Sequence, residues 1–194
     1  MTRPETVPNW FEMTGRPFFD AILAPLAGRE GFRALQIGCF AGDASTWLLS
    51  NIVTGEGALL DDVDTWQGSE DINDIDFCEV ERVYDEQTAP FAAHHAKHKL
   101  RSDEFLRSLP IVPLYDFAYI DGDHTAVGCL EDAVGSWQRL KVGGSLAFDD
   151  YAWRDRLGRP LHAPYPAINA FMSLYSDRCE LVGNGAQLWL RRTA

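Results

Sequence analysis

The feature that most constrains the fold of this chain is a recurring unit in which a short apolar run ends in glycine or aspartate and a helical stretch follows. The apolar runs cover residues 33–37, 58–63, 114–120 and 145–148. The residues that end them are Gly38, Asp64, Asp121 and the pair Asp149-Asp150. Buried strands that alternate with amphipathic helices predict an α/β domain with a mostly parallel sheet.

Apolar residues at helical spacing predict the helices that cover this sheet. The residues that recur at steps of three and four after the third run are Val127, Leu130, Val134 and Trp137. We expect Gly143-Gly144 to end this helix. Residues 77–96 are predicted to be a further helix, followed by a short strand at 97–101 and a short helix at 103–109. The histidines at positions 94, 95 and 98 are then expected on a solvated surface.

The two ends of the chain depart from this pattern. An apolar stripe within residues 18–26 predicts a lid or packing helix near the N-terminus. Residues 178–182 and 187–191 flank Gly183-Asn184-Gly185, a turn suited to a hairpin. We therefore predict one Rossmann-like doubly wound α/β domain over residues 1–194, whose mostly parallel seven-stranded sheet has an antiparallel C-terminal hairpin strand. Residues 1–30 form the lid or packing segment of this prediction, and residues 31–194 form the cofactor-binding core.

Composition limits the partners and the compartment. The formal net charge of −12 argues against a nucleic acid or an anionic membrane, because both would repel the chain. The first twenty residues lack the apolar stretch of a signal peptide, and no segment reaches the roughly 18 apolar residues of a membrane span. The four cysteines form no Cys-x-x-Cys pair. We therefore expect a cytoplasmic protein that acts on a small molecule; the sequence leaves a homo-oligomer open.

The carboxyl ends of parallel strands form the ligand-binding edge of such a sheet. Residues 38–42 form a Gly-x-x-x-Gly loop rather than the Gly-x-Gly-x-x-Gly of dinucleotide-binding proteins. Asp64, at the end of the next strand, suits the two hydroxyls of a nucleoside ribose, although Asp61 and Asp62 compete for this role. The alternative for the loop is a tight turn without a ligand. A nicotinamide enzyme is disfavoured, because no tyrosine is followed four residues later by lysine.

Four segments are informative through their order and spacing. They are LQIGCFAGDAST, DVDTWQGSED, DFAYIDGDHTAVGCLEDAVGSWQRLKVGGSLAFDDY and AINAFMSLYSDRCELVGNGAQLWLRR. Together they resemble the class I methyltransferases often called methyltransferase family 24, from about Phe11 to Arg192. This resemblance implies S-adenosyl-L-methionine as the cofactor. The positions that it assigns to cofactor binding are Gln36, Gly38, Cys39, Phe40, Gly42, Asp64, Thr65, Trp66, Ser102, Asp121 and His124.

The resemblance also implies how the cofactor is divided among these positions. Residues 38–42 would line its methionine part, Asp64 would hold the ribose, and Ser102 would contact the adenine. One departure is Gln36, where the family usually has a glutamate that orients the cofactor's amino group. A glutamine can still accept a hydrogen bond, but the electrostatic attraction is lost, so we expect a lower affinity for the cofactor.

Two devices for activating an acceptor hydroxyl are available at the strand ends. The first is a divalent cation, Mg²⁺, held by Asp121, Asp149 and Asp150, since hard oxygen ligands suit Mg²⁺ and a bound cation acidifies a hydroxyl. The resemblance supports it, because sugar and catechol O-methyltransferases of similar topology bind a metal there. The second is His124 as a catalytic general base near the start of a helix, with Asp121 as the other catalytic residue.

Each of these residues also has a structural alternative. The strand-end aspartates are the type of residue that caps helices and holds loops, and Asp123 is most simply a helix N-cap. His124 is open to a role in which it contacts the cofactor without transferring a proton. Trp66 is expected near the adenine or the acceptor, with core packing as the alternative.

The resulting hypothesis is an O-methyltransferase for a small polar acceptor such as a sugar or a natural-product hydroxyl. Specificity would come from the N-terminal segment, residues 66–76 and the loop 151–166. The aromatic and arginine residues of that loop are Tyr151, Trp153, Arg154, Arg156 and Arg159. A cofactor-binding protein without catalysis and a metal-dependent hydrolase that uses the Asp/His cluster are the alternatives.

Overall fold

The computed structural model describes residues 4–68 and 75–194. The strands in these ranges are β1 (Arg33–Ile37), β2 (Leu59–Asp64), β3 (His95–Lys99), β4 (Tyr115–Ile120), β5 (Leu140–Phe148), β6 (Cys179–Asn184) and β7 (Leu188–Arg192). The α-helices are α1 (Trp10–Thr14), α2 (Arg16–Leu23), α3 (Asp43–Asn51), α4 (Phe77–Thr88), α5 (Ser102–Ser108), α6 (Ala126–Trp137) and α7 (Tyr165–Tyr175). None of these helices is long and apolar enough to cross a membrane.

The strands form one sheet in the order β3-β2-β1-β4-β5-β7-β6. The first five strands are parallel, β7 pairs antiparallel with β5, and β6 pairs antiparallel with β7. The predicted Rossmann-like, mostly parallel α/β sheet with an antiparallel C-terminal hairpin is therefore confirmed. Chain order runs outward in opposite directions from β1 and β4, so the switch point lies between these two strands. Ligands of such sheets bind outside the carboxyl ends of the strands at this point.

Helices cover both faces of the sheet because its central strands are apolar on both sides. One face, which includes Ala34 and Phe117, packs against α2 and α3. The other face, which includes Leu35 and Ala118, packs against α5, α6 and α7. This double covering leaves the strand ends as the accessible edge of the sheet.

The N-terminal segment contributes to one of these cores. Phe19 of α2 is fully buried, and burial of a phenylalanine side chain stabilises a fold by about 1.5–3 kcal/mol. Its ring makes edge-to-face contacts with Trp47, Phe117, Tyr119 and Trp189. Val7 belongs to a smaller apolar cluster together with Cys39 and Ala41 of the loop after β1. This segment therefore packs beside the strand ends.

The boundaries predicted between residues 77 and 101 are corrected by the structure. Helix α4 ends at Thr88 and not at residue 96, because Pro90 follows in a short 3-10 turn and lacks the N–H of a helical hydrogen bond. Strand β3 begins at His95, two residues before its predicted start. The predicted loop at 65–76 lies partly outside the described residues, which exclude 69–74.

The histidines around β3 are not on a helix, and the solvated surface predicted for them is wrong. His95 Nε2 lies 3.1 Å from Oδ2 of Asp62, and His98 Nε2 lies 2.9 Å from Oδ1 of Asp61. Both aspartates are buried in the neighbouring strand β2. His94 Nδ1 lies 3.0 Å from a backbone carbonyl oxygen at the start of the same strand. Histidines of the edge strand β3 thus contact buried carboxylate oxygens of β2.

The expected helix stop at Gly143-Gly144 is also corrected. Helix α6 already ends at Trp137, and both glycines lie inside β5. Gly143 has a φ of +85°, and the pairing register between β4 and β5 shifts before Ser145. The two glycines therefore belong to an irregularity within the strand.

Candidate active site

The loop between β1 and α3 depends on two glycines. Gly38 has a φ of +83°, and a Cβ atom placed there would lie 1.9 Å from the carbonyl oxygen of Asp121. Gly42 has a φ of +85° and is the N-cap of α3. Phe40 between them also has a positive φ of 47°. The loop is therefore pressed against the end of β4 in a conformation that only glycine at position 38 permits.

Asp64 holds this loop in place. Its Oδ2 accepts hydrogen bonds from the backbone N–H groups of Cys39 (2.8 Å) and Phe40 (3.0 Å), and its Oδ1 accepts one from Trp66 N (2.7 Å). The carboxylate lies half-buried at the end of β2. Each carboxylate oxygen has two lone pairs, so these three bonds leave one acceptor site, on Oδ1, for a ribose hydroxyl.

The side chain of Gln36 in β1 links this loop to α3. Its Nε2 donates to the carbonyl oxygen of Gly38 (3.1 Å), and its Oε1 accepts from Ser45 Oγ of α3 (3.3 Å). The side chain is 1% exposed. A glutamate could not make the first of these bonds, because a carboxylate is not a donor. The glutamine therefore has a structural partner at the position where the sequence departs from the family pattern.

Cys39, Thr65 and Trp66 lie around the same loop. Burial raises the pKa of the Cys39 thiol well above its usual range, and the nearby carboxylates of Asp62 and Asp64 raise it further. Thr65 Oγ1 accepts a hydrogen bond from the backbone N–H of the second residue after it, at 3.2 Å. The Trp66 indole is 5% exposed and donates to the carbonyl oxygen of Phe40 at 2.9 Å. Trp66 is thus packed in the core beneath the loop.

A cluster of two carboxylates and one imidazole lies at the ends of β4 and β5. One side-chain ligand atom each from Asp121, His124 and Asp150 lies within 4.8 Å of the other two. His124 Nε2 is 3.0 Å from Oδ2 of Asp150. Asp150 has a φ of +55°, a left-handed conformation that turns its side chain back towards the β4 loop.

Asp149 belongs to a neighbouring hydrogen-bond network. Its Oδ2 accepts from the hydroxyl of Tyr119 (2.7 Å), and its Oδ1 accepts from Nε2 of Gln187 (3.1 Å). Gln187 Nε2 also lies 3.0 Å from the Tyr119 hydroxyl, and its Oε1 accepts from the indole of Trp189 at 2.9 Å. Residues of β4, β5 and β7 and of the turn before β7 are joined in this way behind the cluster.

The electrostatics of the cluster favour a bound cation. Burial raises the pKa of Asp121 well above its usual range, and the charges of Asp149 and Asp150 raise it further. Burial and the charge of Asp150 also raise the pKa of Asp149. Carboxylates in such proximity are stabilised by a positive charge between them. The donor set of Asp121, His124 and Asp150 therefore fits a divalent cation, whereas Asp149 remains a predicted ligand whose oxygens accept the two hydrogen bonds described above.

Asp123 caps a turn rather than the helix. Its Oδ1 accepts from the backbone N–H of Thr125, and it is Thr125 Oγ1 that accepts from Gly128 N as the N-cap of α6. The predicted N-cap was therefore two residues too early. His124 precedes the helix, as expected, and its ring centroid lies 5.3 Å from that of Trp153 in the loop 151–166.

The arginines of that loop differ in their surroundings. The Arg154 guanidinium lies 3.9 Å from the centroid of the Tyr165 ring and donates to two backbone carbonyls. Arg159 pairs with Asp155 at 3.0 Å, and that pair lowers the pKa of Asp155 to about 2. Arg156 is exposed. The first two therefore order the loop itself, and all three arginines are exposed to solvent.

The buried position of Asp132 and the hydrogen-bond partners of Asp149 were not predicted from the sequence. Asp132 is 3% exposed and lies on the buried face of α6 with Cys129 and Ser136. The apolar face of α6 that was predicted from Val127 is rotated relative to the face that is buried in the structure, because Val127 is 63% exposed. The signal that could have identified Asp132 in the sequence is its position, because it is a charged residue on the face of an amphipathic helix that is otherwise buried. Burial raises the pKa of Asp132 to about 7, and Ser102, at the first position of α5, partly offsets this rise.

Comparisons with known proteins agree with this architecture. The family profile described as "Methyltransferase domain" matches residues 35–151. No curated protein sequence matches the chain. A protein from Corynebacterium glutamicum is structurally similar with a TM-score of 0.69 and 16% identity, covering 97% of this chain and 84% of that one.

Two further solved structures share the fold. The O-methyltransferase TomG from Streptomyces achromogenes, involved in tomaymycin synthesis and solved with S-adenosylmethionine, gives a TM-score of 0.67 at 15% identity over 97% of this chain and 82% of that one. An rRNA methylase from Streptococcus thermophilus gives 0.62 at 12% identity over 91% and 95%. Because the family profile spans more than half of the 194 residues, the chain belongs to methyltransferase family 24 of the class I S-adenosylmethionine-dependent methyltransferases.

Proposed function

We propose that this methyltransferase transfers the methyl group of S-adenosyl-L-methionine to a hydroxyl of a small polar acceptor, such as a sugar or a natural product. The observation that carries this proposal is the cluster of Asp121, His124 and Asp150 beside the glycine loop. A hydroxyl must lose its proton to become a good nucleophile, and this cluster combines a base with two carboxylates at the required edge of the sheet.

The cofactor would lie along the edge formed by β1, β2 and β4. The backbone of residues 38–42, held by Asp64, would face its methionine part, while the remaining lone pair of Asp64 Oδ1 would accept from a ribose hydroxyl. TomG is described in complex with S-adenosylmethionine. That likeness of fold supports the same cofactor for this chain.

His124 would take the proton of the acceptor hydroxyl. Its contact with Asp150 fixes the orientation of the ring, and this carboxylate would stabilise the imidazolium that forms. In the alternative arrangement, Asp121, His124 and Asp150 would hold a divalent cation such as Mg²⁺, and the nitrogen lone pair of His124 would then bind the metal instead of accepting the proton. A bound cation would lower the pKa of the acceptor hydroxyl. Asp149 is kept as a predicted further ligand.

The acceptor would enter beside the loop 151–166. Trp153 next to His124 offers an aromatic wall, and Arg156 offers an exposed positive charge to a hydroxyl-rich or anionic molecule. The net charge of −12 disfavours RNA, although an rRNA methylase shares the fold. We therefore propose a small molecule as the acceptor. A cytoplasmic location is also part of the proposal.

The test measures S-adenosylhomocysteine formation with a panel of simple catechols and hexoses, in the presence of Mg²⁺. We expect Asp121→Ala and His124→Ala to abolish turnover while the cofactor still binds. The control is Asp177→Ala, since this carboxylate is 77% exposed and outside the cluster. Full activity in both cluster variants would refute the assignment. Transfer to RNA alone would refute the acceptor class.

A further inference from the structure

At the ends of β1 and β2, two residues other than glycine have a left-handed backbone conformation. Phe40 of the loop after β1 has a φ of 47°, and Trp66 of the segment after β2 has a φ of 50°. A Cβ atom disfavours this conformation, which persists only where the surroundings enforce it. The contacts that enforce it at Phe40 therefore determine the shape of the loop 38–42.

The peptide groups on both sides of the Phe40 Cα atom are anchored to the segment after β2. The N–H of Phe40 donates to Oδ2 of Asp64 at 3.0 Å. The carbonyl oxygen of Phe40 accepts from Nε1 of Trp66 at 2.9 Å. The orientation of the two flanking peptide groups fixes the φ and ψ angles of a residue. Asp64 and Trp66 together thus hold Phe40 in its left-handed conformation.

The indole of Trp66 is a fixed hydrogen-bond donor. Its own backbone N–H donates to Oδ1 of Asp64 at 2.7 Å. Its ring centroid lies 4.7 Å from that of Tyr84, and the ammonium group of Lys97 lies 4.5 Å from the indole centroid. Lys97 in turn forms ion pairs with two carboxylates of α4. Because Trp66 is 5% exposed and held by these contacts, its N–H cannot follow the loop into another conformation.

We propose that Trp66 is a positioning residue for the cofactor. Its indole N–H keeps Phe40 in the left-handed conformation, and the loop 38–42 thereby keeps the shape that receives the methionine part of S-adenosyl-L-methionine. The inference rests on the proposed function, in which the cofactor lies at this loop. Without the indole donor, Phe40 would relax towards ordinary backbone angles, and only a fraction of the molecules would have the binding-competent loop. The apparent dissociation constant rises as this fraction falls.

The test is a double-mutant cycle between Trp66 and Phe40, in which isothermal titration calorimetry measures the dissociation constant of S-adenosyl-L-homocysteine. Trp66→Phe should raise this constant by about tenfold, because the net contribution of one hydrogen bond is of that order. In the Phe40→Gly background the same change should raise it by about twofold or less, since glycine adopts positive φ angles readily. A role of Trp66 in packing alone would give equal rises in both backgrounds.

Two further variants separate the N–H from the ring. Replacement of Trp66 by benzothienylalanine keeps the ring shape and exchanges the N–H for a sulfur atom. This variant should reproduce the rise of about tenfold, and it supplies the result if Trp66→Phe does not fold. The matched control is Trp137→Phe in α6, a tryptophan that is 3% exposed and packs against Phe171 and Tyr175; it should keep the wild-type constant.

The outcomes distinguish this inference from the proposed function. An unchanged dissociation constant in the benzothienylalanine variant, or equal rises in the two backgrounds, would overturn the role of Trp66 while the wild type still binds the compound. Absence of binding in the folded wild type would instead contradict the proposed cofactor, and the inference with it.

Discussion

Asp132→Asn should change how the stability of the protein depends on pH. The pKa of the Asp132 carboxyl is about 7 in the folded chain, against an ordinary value of 3.8. Between these two values the folded state keeps a proton that the unfolded state releases. The contribution of this proton to stability is therefore fully present below about pH 4 and is lost as the pH rises through about 7.

The size of the effect follows from the same two values. The free energy of unfolding of the wild type should lose about 1.4 kcal/mol per pH unit through this group, or about 4 kcal/mol in total by pH 8. Asparagine cannot ionise, so the variant lacks this loss. The free energy of unfolding of Asp132→Asn, relative to the wild type, should therefore rise by up to this amount between pH 4 and pH 8 and then remain constant.

The assay is urea unfolding followed by tryptophan fluorescence at half-unit steps of pH. The matched control is Asp155→Asn, because the pKa of Asp155 is lowered to about 2 by its hydrogen bond with Arg159. The contribution of that pair is lost only in acid, so the difference between this variant and the wild type should not change above pH 5. Parallel pH profiles for the wild type and Asp132→Asn would refute the reasoning.

Two further substitutions test the geometry at the strand ends. Gly38→Ala places a Cβ atom 1.9 Å from the carbonyl oxygen of Asp121 and should lower the melting temperature by about 10 °C or more. Gly57→Ala, at a similar φ of +68° with no atom within 4 Å of its Cβ, should lower it by only a few degrees; equal shifts would contradict the close approach. Tyr119→Phe removes a donor from half-buried Asp149 and should reduce the free energy of unfolding by about 1–3 kcal/mol, and an unchanged value in urea titration would contradict that hydrogen bond.

The fold could be predicted from the sequence where its signals are local. The runs that form β1, β2, β4 and β5 are rich in apolar residues, and Gly185 of the predicted glycine turn lies between the two strands of the C-terminal hairpin. Strand β3 was misplaced because its sequence, His95 to Lys99, has no apolar pattern. Its histidines contact Asp61 and Asp62 of the adjacent strand, which no local pattern reveals.

The part of the candidate site that could be predicted from the sequence is the set of residues at the ends of strands. Gly38, Asp64 and Asp121 each follow a strand, and parallel strands bring their ends together. The partners of these residues could not be predicted, because they depend on long-range packing. Gln187 is 38 residues from Asp149 along the chain, and it reaches the carboxylate only because β7 inserts between β5 and β6.

The proposed function requires the edge formed by β1, β2 and β4 to bind S-adenosylmethionine. Isothermal titration with S-adenosylmethionine and with S-adenosylhomocysteine, each with and without Mg²⁺, tests it directly. We expect both compounds to bind in the micromolar range, with a heat that depends on Mg²⁺ if Asp121, His124 and Asp150 hold the cation. Absence of binding for both compounds in a folded protein, together with tight binding of the metal alone, would contradict the claim and favour a metal-dependent hydrolase.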